Sequence, residues 1–234
     1  MDYQKEYIEK NPDMHLDDST LKVKQLCLVI KPSSQISSII DIACGAGSVT
    51  TELVNKFHPR EAVGLDISTV MIKKARELDK SKLVNWIKAD IFTYKTQHMF
   101  DLVTCVDILE HVEDDVAFLK KVSTLGKFVV IKTPLEDSLF NRFLMKFGIF
   151  DPWKDTERRY GHIHHYNEDV LNKLIRESGL KVIKSVSVPM PKRSKKRWEF
   201  FRLLFYPIST ISMNKMVEIS GGFKIYLLTD EKRK

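Results

Sequence analysis

Cysteine is scarce in this chain of 234 residues: there are three, Cys27, Cys44 and Cys105, and no two form a C-x-x-C pair. That excludes a disulfide scaffold and a cysteine-rich zinc site, and it suits a reducing, cytoplasmic setting. Nine glycines and eight prolines are too few for a collagen-like or low-complexity chain. No run of about 18 apolar residues occurs, so no membrane-spanning helix is expected. The opening residues, MDYQKEYIEKNPD, are charged and hold no apolar stretch, so no secretory signal is expected. What is present is 43% hydrophobic and 10% aromatic residues, enough to fill a sizeable core and to exclude disorder. The length suggests one large domain, or one with an appendage.

The formal net charge is +7, and its location is informative. Residues 1–188 hold 27 basic and 27 acidic side chains, whereas 189–234 hold 11 and 4, so the whole excess lies in the last 46 residues. A neutral body with a basic C-terminal patch points to a local anionic contact, not to nucleic acid wrapped over the surface.

Strands and helices alternate along the chain. Residues 14–30 read as a helix, with Asp17, Asp18, Ser19 and Thr20 supplying start signals and Pro32 ending it, making 1–35 an N-terminal helical cap. Apolar runs at 36–44, 61–66, 83–90, 99–107 and 126–134 read as strands, with helices at 48–57, after Ser68, and at 113–125. This alternation predicts a doubly wound α/β fold with a parallel sheet. Residues 135–166 read as irregular. A helix capped by Asn167 and Gly179 follows, then an alternating edge strand at 180–188, a second irregular block at 189–221 and a final strand at 223–230. The expected organisation is a single domain over 1–234, with 135–166 and 189–221 as inserted lid or substrate segments.

In open parallel sheets ligands bind beyond the carboxyl ends of the strands, where strand order reverses. After the first strand comes Asp41-Ile42-Ala43-Cys44-Gly45-Ala46-Gly47-Ser48, whose glycines permit a tight turn and close backbone approach. After the second comes Asp66, 19 residues beyond Gly47, placed to accept hydrogen bonds from a ribose. Asp90 follows the third and could meet the exocyclic amine of a base; Asp107, Glu110 and His111 follow the fourth. A dinucleotide site would want a third glycine where this chain has Thr50, which sets a dehydrogenase well behind.

DIACGAGS, GLDIS, KADIF, FDLVTCVDILEHVEDD and HIHHYNEDVLNKLIRESGLKVI together resemble the motifs of class I S-adenosylmethionine-dependent methyltransferases, in the small-molecule branch that includes quinone-biosynthesis enzymes. The resemblance covers roughly 36–188 and the last strand. It implies a Rossmann-like seven-stranded sheet, mostly parallel with the last strand antiparallel, helices on both faces, and S-adenosylmethionine as cofactor. Position by position, it implies that Asp41, Gly45 and Gly47 line the methionine moiety, that Asp66 holds the ribose, and that Asp90 and Ile91 flank the adenine. Ala43, Ala46, Ile67 and Asp107 complete the cofactor-binding set.

The expected reaction is methyl transfer to a small acceptor, hydrophobic or lipid-linked, with oxygen favoured as the receiving atom. An oxygen acceptor needs a base, and His111 and His165 are the candidates. Glu110, Tyr160, His162, His164 and Tyr166 are expected around the acceptor pocket. No metal site is expected. His162 and His164 would share a face in an extended segment, but no third or fourth ligand stands at suitable spacing. Glu110, Glu113, Asp114 and Asp115 read as the acidic opening of a helix. The fourth strand is not followed by the Asn/Asp-Pro-Pro-aromatic motif typical of enzymes that methylate base or glutamine amino groups.

PKRSKKRWEFFRLLFYPISTISM (191–213) places five basic residues in Lys192–Arg197 ahead of an aromatic run. It reads first as a lid with solvated lysines, second as a peripheral contact with an anionic membrane, and last as an RNA contact, since no RNA module accompanies it. The competing function is a methyltransferase-like fold that acts as a binding or scaffold protein through this segment; RNA or protein methylation is a further alternative. Oligomeric state has no signature in the sequence.

Overall fold

The computed structural model describes residues 18–31, 35–190 and 212–233. Seven strands form one sheet: β1 (Ser38–Ile42), β2 (Glu61–Asp66), β3 (Val84–Lys88), β4 (Phe100–Val106), β5 (Gly126–Leu135), β6 (Leu180–Pro189) and β7 (Gly222–Asp230). Their order is β3-β2-β1-β4-β5-β7-β6. β7 runs antiparallel to β5 and β6, and the other neighbours pair in parallel. The order therefore reverses between β1 and β4, and a crevice opens there beyond the strand ends.

The helices are α1 (Ser19–Leu26), α2 (Ser48–Phe57), α3 (Thr69–Leu78), α4 (Asp115–Ser123), α5 (Leu139–Lys146), α6 (Pro152–Tyr160), α7 (Glu168–Glu177) and α8 (Met213–Ser220). Both sheet faces are covered, which is why the central strands are apolar runs without polar alternation. Ile40, Ile42, Val103, Cys105, Val129 and Ile131 pack on one side with Phe118, Leu119 and Leu171. The intervening Ile39, Leu102 and Val130 pack on the other with Val23, Leu26 and Leu53.

Local caps set the helix starts: Ser68, Asp114 and Asn167 each accept a hydrogen bond from a first-turn amide. At the other end of α7 the C-cap is Ser178, and the expected Gly179 stands one position beyond it with φ 71°.

The structure departs from the sequence reading in three places. Residues 135–166 contain the end of β5 and two helices, and α8 occupies part of 189–221. Ser138, Asp151 and Ser212 cap those helices, and Pro152 opens α6. Within the described residues the first helix ends at Leu26, short of residue 30, because turn bonds from Leu28 to Gln25 and Val29 to Leu26 take over. Along β6 the expected alternation fails. A register shift between Val182 and Lys184 leaves Lys181–Ser185 exposed on the sheet edge. No helix among the described residues is long and apolar enough to cross a membrane.

Candidate active site

The chain leaves β1 through Ala43-Cys44-Gly45-Ala46-Gly47 and enters α2. Ala43 (φ 57°), Gly45 (φ 55°) and Gly47 (φ 83°) all adopt left-handed backbone, so the turn is tight. The two glycines serve different ends. A Cβ on Gly47 would stand 2.4 Å from the Trp86 ring, so its bare backbone makes room for that indole. A Cβ on Gly45 would meet nothing within 4 Å, so its open side leaves space for a ligand.

Asp66 ends β2 and ties this turn down. Its Oδ2 accepts from the Gly45 amide at 2.8 Å and its Oδ1 from the Ser68 amide at 2.8 Å. Burial raises its carboxyl, and the backbone amides of Ser68, Gly45 and Ile67 oppose the shift. Beside it Ile67 is 58% exposed, an apolar surface at a strand end. Asp90, after β3, accepts from the Phe92 amide at 2.9 Å, and the half-buried Ile91 packs on the core beneath.

Asp41 faces Thr104 across the β1–β4 pair. It is 2% exposed and accepts from Thr104 Oγ1 at 2.6 Å and Thr50 Oγ1 at 2.5 Å. Burial pushes it up to about 6 against those two hydroxyl bonds. Thr50, where a dinucleotide fold would carry glycine, is thus fully buried as a donor to Asp41.

Asp107 follows β4 with φ 53°. Its Oδ1 pairs with the Lys132 ammonium at 2.6 Å and its Oδ2 with Lys22, from α1, at 3.3 Å. Burial works to raise the Asp107 carboxyl, but the two ammonium groups win and hold it low. Lys132 is itself 2% exposed and lies over the Phe223 ring at 3.6 Å. Neither lysine was singled out in the sequence, since β5 and α1 carry no motif there.

Past Asp107 a 3-10 turn, Leu109–His111, brings in Glu110 and His111. Glu110 is 1% exposed and accepts from Thr133 Oγ1 at 3.0 Å; burial first, then the charge of Asp107, push its carboxyl up to about 7. Its carbonyl accepts from the Ile163 amide at 2.9 Å, which docks the segment before α7 onto this turn. Burial, and then His162, lower His111 to about 4.

Glu136, which sequence reasoning passed over, organises this end. Its Oε1 accepts from His162 Nδ1 at 2.9 Å; its Oε2 accepts from His165 Nδ1 at 2.8 Å and Thr156 Oγ1 at 3.1 Å. Burial alone would raise that carboxyl, but the two imidazoles outweigh it and hold it at about 2. The same carboxylate raises His162 against the opposing effect of burial. The His165 ring stacks on Trp153 at 4.9 Å and 6°. Tyr160 lies 5.6 Å from the His162 ring.

Two further residues expected around the acceptor pocket have their polar atoms engaged by the chain. His164 Nε2 bonds to the Val112 carbonyl at 2.9 Å, and the buried Tyr166 hydroxyl bonds to the Leu109 carbonyl at 3.1 Å and Asp115 at 3.0 Å. Both fasten the α7 approach to the turn after β4. The basic run Lys192–Arg197 and its aromatics up to residue 211 lie outside the described residues.

Residues 16–185 match the family profile described as "Methyltransferase domain", well over half of the chain. The chain belongs to the methyltransferase-domain family. It is 30% identical over 112 residues to (S)-coclaurine N-methyltransferase of Papaver somniferum, covering 46% of this chain and 32% of that one. It is 27% identical over 90 residues to a ubiquinone biosynthesis O-methyltransferase of Pseudoalteromonas translucida, covering 38% of each. The matched stretches thus span only about a third of the length of such curated relatives. Among solved structures, the N-methyltransferase NodS of Bradyrhizobium japonicum with S-adenosylhomocysteine superposes with TM-score 0.61 at 14% identity, covering 98% of both chains. Magnesium protoporphyrin IX methyltransferase of Synechocystis with bound S-adenosylhomocysteine gives 0.56 at 16%, covering 98% of this chain and 87% of that one. At those identities the likeness is one of fold, and methyltransferase-domain membership rests on the sequence match.

Proposed function

We propose that this methyltransferase-domain chain binds S-adenosylmethionine and methylates a small acceptor on oxygen, with hydrophobic and lipid-linked phenols the first class to test. The observation that carries the reading is the open turn at Gly45, anchored by its amide to Asp66 at the strand-order reversal. The cofactor supplies the activated methyl group. The chain's own task is to bind and align, since orientation provides much of the rate in a direct displacement.

Asp66 retains lone pairs beyond its two amide bonds and so has capacity for ribose hydroxyls. Exposed Ile67 and half-buried Ile91 offer apolar contact to an adenine, and Asp90 offers an acceptor to its amine. Asp41 and the 43–47 turn are assigned to the methionine end, with Asp107 beyond them at the exit of β4.

For the base, His165 is favoured over His111. Its Nδ1 is held by Glu136, so the other ring nitrogen is the one left to take a proton. His111, lowered to about 4, is a weak proton acceptor near neutral pH. Peripheral contact with an anionic membrane through 191–213 is supported by composition alone.

The test is calorimetric titration of the purified chain with S-adenosylhomocysteine, with NADH alongside, followed by mass-spectrometric screening of phenolic and polyprenyl-linked acceptors. Binding of S-adenosylhomocysteine alone is expected. A folded sample that binds neither would transfer the weight to a scaffold role for the basic segment.

A further inference from the structure

His111 and His162 are 51 positions apart in the sequence, yet their rings meet edge to face with centroids at 4.9 Å. With Glu110 they bring three ligand-type atoms, two imidazole nitrogens and one carboxylate oxygen, within 4.8 Å of one another. The hydrogen bonds around them decide which atoms are free. His111 Nδ1 stands 3.2 Å from the Gly161 carbonyl, which can only accept, so Nδ1 carries the hydrogen and Nε2 keeps its lone pair. His162 Nδ1 stands 2.9 Å from Glu136 Oε1, an ionised carboxylate, which selects the same tautomer. Glu110 accepts from Thr133, and among the described residues no hydrogen bond joins any two of the three.

Once Glu110 and His162 give up their protons, two imidazoles and a carboxylate are left together in a site largely shielded from water: Glu110 is 1% and His162 8% exposed, and His111 is half-buried. Converging acceptors in a low-dielectric site repel each other, and a cation among them removes the conflict. We infer that Glu110, His111 and His162 form a site for a transition-metal dication of the zinc class. Two nitrogen ligands with one oxygen suit zinc, cobalt or iron and disfavour magnesium and calcium, which take all-oxygen sets. Glu136 on His162 and the Gly161 carbonyl on His111 are the outer partners that metal-binding imidazoles need for orientation. Asp107 is close by but is engaged by Lys132 and Lys22, which sets it outside the ligand group. Three protein ligands leave a fourth position open, and under the proposed methyl transfer an acceptor oxygen is the group to fill it.

Cobalt(II) is the probe, because its visible d–d bands report coordination. The full chain, stripped with a chelator, is titrated with Co2+ and then with Zn2+. One equivalent should bind with visible bands that Zn2+ abolishes. His162→Ala should weaken binding by about 100-fold or more, and Glu136→Gln by roughly 10–100-fold. His98→Ala, at an exposed histidine paired with Glu61, should change nothing. If His162→Ala fails to fold, Glu110→Gln keeps the side-chain volume and carries the same expectation. A folded chain without d–d bands at millimolar Co2+, or equal affinity in the ligand variants, would overturn the site and leave a proton as the shared cation. The S-adenosylhomocysteine titration is independent: its failure with the bands intact would remove the methyltransferase reading and keep the metal.

Discussion

The Gly45 amide donates to the Asp66 carboxylate at 2.8 Å, joining the turn after β1 to the end of β2. Two strand ends that each look like a separate motif in the sequence are thus one mechanical unit. Asp66 also holds the Ser68 amide, just before α3 begins, so its carboxylate orders the start of that helix as well.

Asp66→Ala should accordingly do two things. Loss of a charged acceptor should weaken S-adenosylhomocysteine binding by about tenfold or more, and leaving two amides without it should cost about 1–3 kcal/mol of stability. Calorimetry and thermal melting measure the two effects separately. An unchanged dissociation constant would remove the ribose assignment.

The two glycines of the turn should separate packing from ligand space. Gly47→Ala drives a methyl into the Trp86 ring, where a Cβ would stand at 2.4 Å, and forces alanine to φ 83°. A loss of about 1–3 kcal/mol or more follows from overpacking. Gly45→Ala meets open space, so only the left-handed backbone penalty of about 1–2 kcal/mol applies. Its main effect should be on cofactor affinity. Similar melting temperatures for the two variants would contradict this division.

Asp41 should make stability fall with rising pH. The folded chain holds this proton up to about 6, the unfolded chain only to its ordinary value of 3.8. Between those values the unfolded state loses its proton first, so unfolding is increasingly favoured. The resulting penalty is absent below about pH 4 and reaches roughly 3 kcal/mol above pH 6. Asp41→Asn has no charge to bury and should melt several degrees higher, relative to the parent, at pH 7 than at pH 4.5. A pH-independent gap between their melting curves would count against the burial of an ionisable Asp41.

Neutralising Lys192, Arg193, Lys195, Lys196 and Arg197 should abolish any binding to vesicles rich in anionic lipid, because each basic residue contributes about 1 kcal/mol at such a surface. Co-sedimentation at rising salt is the measurement. Salt-insensitive binding retained by the variant would exclude an electrostatic contact.

Periodicity and composition by themselves determined the alternation of strands and helices and the covered faces of the sheet. Buried central strands must be apolar on both sides, and that shows locally as the IIDI, AVGL and LVTCV runs. The order of residues also made legible which strand ends carry the glycines and acids. The helices α5, α6 and α8 were less visible because their starts are single capping residues, Ser138, Asp151 and Ser212, in stretches with weak periodicity. Only the tertiary structure decided what each polar residue touches. Thr50 and Thr104 become the donors of Asp41 because α2 and β4 pack on β1. Lys22 and Lys132 meet at Asp107 although α1 and β5 lie far apart in the chain. Glu136 gathers His162 and His165, and His162 rather than His164 comes to face His111 and Glu110. These are contacts between different elements of the fold, set by how layers pack, and no local periodicity in the sequence encodes them.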